Sequence, residues 1–349
     1  MKLAPLVVLP WFAVLVAGCA PFNHRRLEPA HALALEQSRF ARVDLTRDLE
    51  DQILALDPEH VTDANVRDIL SRAPAPRIIN IHGALYPVSR RMVSLSKFLI
   101  GMGYPESSIR SPVEGHYSFS CFESSEKIAG VIAWYYEHDG LRPMMIGHSQ
   151  GGMKAVRVLH LLAGHFSPRL SVWNPLTWKR ENRYEITDPL TGQIRPVVGL
   201  QLSYATVLGA GGLARILPSE WDLNTKLRSV PDSVEEFTGF YKSIDLLGGD
   251  FLGYGTANHY KPNGTASVRN IRLPVLYWHD AIPETKHLVK SDEVRRWIDA
   301  YTPTNRAKVD VRFSSKSARI FLAADVWHSV KRHWVLELQR TIKARRGRE

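Results

Sequence analysis

The spacing of apolar residues changes several times along the chain. After Lys2 comes an almost unbroken apolar run over residues 3–17, of signal-peptide length and too short for a comfortable membrane span. Residues 21–29 read as a short tether. Leu45, Leu49, Ile53 and Leu56 then recur at helical spacing inside a stretch, 30–56, that contains neither Gly nor Pro. Thr62 is placed to cap a second short helix carrying Val66, Ile69 and Leu70 on one face. Pro74 and Pro76 mark a boundary.

From Arg77 onward short apolar runs alternate with amphipathic stretches. Strands are expected at 77–81, 107–111, 143–146 and 170–173, and helices at 89–101, 124–138 and 153–163. This alternation predicts an α/β fold with a mostly parallel central sheet covered by helices on both faces. Residues 174–270 differ, with scattered Gly and Pro and many aromatics, among them Phe237, Phe240, Tyr241, Phe251, Tyr254 and Tyr260. They read as a cap or insertion over the sheet, with a hairpin at 184–196. The sheet is expected to resume at 273–278 and to end at 319–324. A terminal helix with Trp334, Leu338 and Ile342 as its stripe follows. The layout is then a signal peptide (1–18), a tether and helical extension (19–72), and one α/β domain (73–349) with its cap at about 174–270.

Composition narrows this picture. With 349 residues, 44% hydrophobic and 23% charged, the chain is globular and long enough for one large domain. Two cysteines exclude a disulfide framework and a Cys-rich zinc site. The formal net charge is +10, and part of the excess lies in Lys331, Arg332, Arg340, Lys343, Arg345, Arg346 and Arg348. That cluster reads as a solvated tail, so no nucleic-acid partner is expected. No H-E-x-x-H, Walker loop or metal-ligand spacing is present, and Gly209 to Gly212 reads as a bend.

The chemistry is concentrated in Gly147-His148-Ser149-Gln150-Gly151, a G-x-S-x-G pattern with an expected strand running in and a buried helix running out. A tight strand-to-helix turn of this kind forces the Ser into a strained conformation. It also aims the following N–H, at a helix N-terminus, towards a developing oxyanion. With Ile81-His82-Gly83-Ala84 after an early strand and a late His, the chain from Arg77 to its end resembles the α/β-hydrolase superfamily, in particular bacterial lipases and esterases.

The resemblance implies a serine hydrolase that cleaves carboxylic esters through an acyl-enzyme, without a cofactor or metal. Ser149 would be the nucleophile, and the N–H groups of Gln150 and Ala84 the oxyanion hole, with His82 ordering that loop. His328, after the strand expected at 319–324, would be the base, with His279 and His287 in reserve. Asp280, directly after the strand expected at 273–278, is the first candidate acid. Glu284 is the alternative, with Asp250 and Asp292 further off. The implied partner is an ester or lipid substrate. The same machinery also suits thioesters, peptides or polyesters, and a non-catalytic envelope protein on this fold is the rival from another class. Val16-Ala17-Gly18-Cys19 resembles the lipobox of bacterial lipoproteins, which implies lipidation at Cys19 and a membrane anchor there. Ala20 after the Cys points to the outer membrane. Cys121 would then lack an intrachain disulfide partner. The sequence carries no signal for oligomeric state.

Overall fold

A computed structural model describes residues 45–84, 86–211, 221–245, 247–248, 258–274, 277–303 and 319–348. Its centre is a six-stranded sheet of β1 (Ile78–His82), β2 (Phe119–Ser120), β3 (Met144–His148), β4 (Leu202–Leu208), β5 (Val234–Lys242) and β6 (Ser267–Leu273). The order is β6-β5-β4-β3-β1-β2 and every neighbouring pair is parallel. Every residue of β3 and β4 is buried, as a parallel sheet covered on both faces requires.

Seven labelled helices surround the sheet: α1 (Arg47–Leu54), α2 (Asp63–Asp68), α3 (Tyr86–Gly101), α4 (Ser125–Asp139), α5 (Gln150–Leu162), α6 (Asp292–Ala300) and α7 (Ile320–Arg346). Strand side chains alternate between two cores. Ile78, Met144 and Tyr204 join Phe98 of α3, Ile298 of α6 and Trp327 and Trp334 of α7. Ile79, Met145 and Ala205 join Ile132 of α4 and Val156 and Leu159 of α5. This is the period-two alternation of a sheet sandwiched between two helical layers.

Several local expectations hold. Thr62 caps α2, in a reciprocal capping box with Asn65; Thr46, which the spacing did not single out, caps α1 by accepting from the Leu49 N–H at 3.3 Å. The hairpin pairs Glu185–Thr187 with Ile194–Pro196. Trp334, Leu338 and Ile342 of α7 are fully buried.

Other expectations are corrected. The stretch read as a cap supplies β4, β5 and the start of β6, so 174–270 carries strands of the central sheet itself. Aromatic residues and one Gly within β5 disguised it: Phe237 and Phe240 are core side chains, and Gly239 lies under the Tyr260 ring. The strand expected to start at Leu273 instead ends there: β6 covers Ser267–Leu273, and the described residues of 274–278 are loop. The strand expected at 319–324 is the start of α7, whose side chains are buried almost all round, and periodicity alone cannot separate such a run from a buried strand. The expected strand at 107–111 is instead a one-turn 3-10 helix, Glu106–Ser108, and β2 takes the sheet edge. Trp173–Asn174 pairs with Lys179–Arg180 in a small hairpin outside the sheet.

Candidate functional site

The site is built where strands end and loops begin, at the carboxyl edge of a parallel sheet, the usual place for ligands in open α/β sheets. β3 ends at His148 and α5 starts at Gln150, leaving one residue to make the turn. That residue, Ser149, has φ 55° and ψ −123°. A non-Gly residue at such angles costs about 1–3 kcal/mol and persists only where its surroundings over-determine it. Here its N–H donates to the Leu208 carbonyl of β4 at 3.0 Å, and its carbonyl accepts from the Gly152 N–H at 2.9 Å. The glycines are needed for close approach. A Cβ on Gly147 would stand 2.6 Å from the Gly151 carbonyl, and one on Gly151 would drive into the Ile81 and His82 carbonyls of β1.

Opposite Ser149 stands His279, the first residue of a one-turn 3-10 helix, His279–Ala281, beyond β6. Its Nε2 lies 2.8 Å from Ser149 Oγ, and its Nδ1 lies 2.8 Å from Asp245 Oδ2. Because a carboxylate can only accept, Nδ1 carries the proton, and the Nε2 lone pair is left facing the serine hydroxyl. Asp245 follows β5 by three residues, and its Oδ1 accepts the Gly248 N–H at 2.9 Å. The pair is enclosed, with side chains 6% exposed for His279 and 4% for Asp245. Burial pushes the Asp245 carboxyl up. The hydrogen bond and charge of His279, the Gly248 N–H and the nearby Lys242 outweigh it and hold the group below its ordinary value.

Backbone geometry leaves room for the imidazole. Gly209 follows β4 with φ +57°, and a Cβ there would stand 3.2 Å from His279 Cε1. Lys242 Nζ donates to the Tyr277 carbonyl at 2.9 Å, tying the end of β5 to the segment that leads into His279. His148 Nε2 lies 2.8 Å from the His279 carbonyl.

The structure brings together Ser149 and the reserve base His279. It does not bring His328 to them. His328 sits within α7, its Nε2 3.8 Å from Glu59, beside a cavity of about 360 Å³ shared with Glu236, Arg269 and Arg332. Glu236 and Arg269 lie near the starts of β5 and β6, the end of the sheet away from Ser149. With no strand at 319–324, the residue expected to follow one sits in mid-helix. Asp280 and Glu284, the expected acids, both pair with Arg91 of α3, Glu284 at 3.9 Å. Asp280 is next to His279 in sequence, but its carboxylate is on Arg91 and the carboxylate at His279 Nδ1 is that of Asp245. His287 lies in the turn Lys286–Lys290, and Asp292 opens α6 behind its Ser291 cap. Cys19 and Asp250 lie outside the described residues.

Of the oxyanion candidates, Gln150 follows the serine directly in the chain, and Ala84 follows a glycine that lies against it. Gln150 is the first residue of α5, where an N–H has no intrahelical acceptor. A Cβ on Gly83 would come 2.9 Å from Ser149 Cβ, so the β1 loop that continues into Ala84 passes beside the serine. His82 Nδ1 lies 2.8 Å from the Gly83 carbonyl, within that same loop.

Asp245 is the residue that sequence reasoning missed. Its signal was present: a carboxylate just after the β-rich run 234–242, with Ser149 before it and His279 after it in the chain. Among the described residues no group of three His, Cys, Asp or Glu side chains is arranged to hold a metal ion, and no helix of the described residues is long and apolar enough to cross a membrane. No family model, curated protein or solved structure matches the chain.

Proposed function

We propose that this chain is a serine hydrolase of the α/β-hydrolase type that cleaves carboxylic esters through an acyl-enzyme. The observation that carries the reading is the unbroken chain Asp245–His279–Ser149 at 2.8 Å per link, with the serine held at a strained elbow. Ser149 Oγ attacks the acyl carbonyl while His279 Nε2 takes its proton. Asp245 keeps the imidazole in the reactive tautomer and stabilises the imidazolium. The N–H groups of Gln150 and Ala84 receive the oxyanion. His279 then protonates the leaving alcohol, and water releases the acyl group by the same steps.

An apolar acyl group is favoured by what flanks the two polar partners. Trp278 next to the base is 76% exposed, and Ile244 and Leu247 beside the acid are 62% and 40% exposed. Exposed apolar side chains adjoining both Asp245 and His279 in the chain suit a hydrocarbon substrate. The lipobox-like run ending in Cys19 supports an enzyme lipidated there and exported to the outer membrane, placed where acyl substrates reside. The test is a series of p-nitrophenyl esters of increasing chain length, run beside a thioester and a peptide substrate. Turnover is expected on the esters, rising from acetyl to medium chains and absent in Ser149→Ala. Turnover of the peptide alone would overturn the ester assignment.

A further inference from the structure

His148, the residue before the serine, takes no part in the proton path described above. Its place is nonetheless specific. It is the last residue of β3, paired in register with Leu208 of β4, and it is completely buried. Its Nε2 lies 2.8 Å from the His279 carbonyl, and its ring centre is 5.1 Å from that of His279. Its Nδ1 is buried with no hydrogen-bond partner among the described residues. A carbonyl only accepts, so Nε2 carries the proton and the imidazole is a neutral donor.

Side chains hold the segment on either side of that carbonyl: Lys242 donates to the Tyr277 carbonyl and Arg91 pairs with Asp280. The sheet ends at Leu273, and His279 opens a single 3-10 turn, in which the bond from the Ile282 N–H back to the His279 carbonyl is long, at 3.4 Å. The His148 bond is therefore the short contact on that carbonyl. It ties the backbone of the base to the strand that leads into the serine.

We propose that His148 is a positioning residue that sets the His279 imidazole against Ser149 by fixing its backbone. This rests on the reading of Ser149 and His279 as nucleophile and base. It gives one histidine a fixed role and leaves the other to exchange protons. Burial, followed by the neighbouring His279 and Arg91, drives the His148 pKa down to about 3 against the opposing pull of Asp245 and the His279 carbonyl. It therefore stays neutral when His279 gains its proton, and no second positive charge builds up beside the imidazolium.

The test compares His148→Gln with His148→Asn in the full-length protein in detergent. Both amides are polar, but only Gln extends far enough to donate to the His279 carbonyl. Fluorophosphonate labelling and ester turnover are expected to fall about tenfold or more in His148→Asn, with kcat falling and KM nearly unchanged. In His148→Gln both should stay within about threefold of the parent. Equal losses in the two variants, or no loss in either, would overturn the proposal. A ¹⁵N-histidine spectrum of the parent provides a check that needs no variant: His148 is expected protonated at Nε2 and bare at Nδ1 from pH 5 to 9, and the opposite tautomer would refute it. A folded parent that does not label at all would instead remove the nucleophile reading, and this proposal with it.

Discussion

Replacing Asp245 by Asn is the most discriminating substitution at the site. The side chain keeps its shape and one accepting oxygen, but the charge facing the imidazolium disappears. The amide can also turn its NH₂ towards Nδ1 and favour the wrong tautomer. With Asp245 Oδ2 2.8 Å from Nδ1 and the pair almost fully enclosed, the two charge centres lie about 4 Å apart. At an effective dielectric of about 20 such a pair attracts by about 4 kcal/mol. The loss is then about 10³-fold in rate, realised in kcat because the charge on His279 exists only during the reaction. Two controls sharpen the comparison. Asp280→Asn removes only a partly exposed ion pair to Arg91, worth about 0–1 kcal/mol, and turnover should stay within about fivefold. His328→Ala touches a side chain near the far end of the sheet and should leave turnover unchanged. The assay is initial-rate ester hydrolysis on variants with parental melting temperatures. A Asp245→Asn enzyme retaining a tenth or more of the activity, or a larger loss in Asp280→Asn or His328→Ala, would refute the geometric assignment.

Two further outcomes follow from packing and burial. Gly151→Ala places a Cβ in the Ile81 and His82 carbonyls, where strand backbone cannot yield cheaply, so a loss of at least about 2 kcal/mol in urea unfolding is expected; a parental midpoint would contradict it. Burial, the largest cause in each case, depresses His148 to about 3 and His160 and His328 to about 4. Between pH 6.5 and those values the unfolded chain binds protons that the folded one refuses, so stability is full above pH 6.5 and falls as pH drops. His148 alone contributes a loss of about 2 kcal/mol by pH 5. Asp245 adds the same sign only below its ordinary value of 3.8. A melting temperature flat from pH 7 to 5 would contradict the assignment of these histidines as buried and neutral.

The turn at Ser149 was legible because several independent signals agree there: a β-rich run, glycines where backbones touch, and a buried helix start. Asp245 and His279 were harder to read, and for one shared reason. β4 and β5 lie in a region whose aromatics and glycines suggested a cap, so the count of strands before the acid and base was displaced towards the C-terminus. Asp245 follows β5, so misreading β5 hid it. The apolar start of α7 then looked like the missing final strand, so the partner of Ser149 was expected at His328, whereas the histidine beside Ser149 is in the loop after β6. His279 stayed in view only as a reserve. Pairing across a sheet is a long-range fact, and the residues that end adjacent strands carry no local mark of their adjacency.

The central claim is that Ser149 is an activated nucleophile. The direct measurement is intact-mass analysis of the full-length protein in detergent after exposure to a fluorophosphonate, beside Ser149→Ala and Asp245→Asn. One adduct on the parent, none on Ser149→Ala and slow labelling of Asp245→Asn is the expected result. A folded parent that takes up no probe, or Ser149→Ala labelling as fast as the parent, would contradict the account.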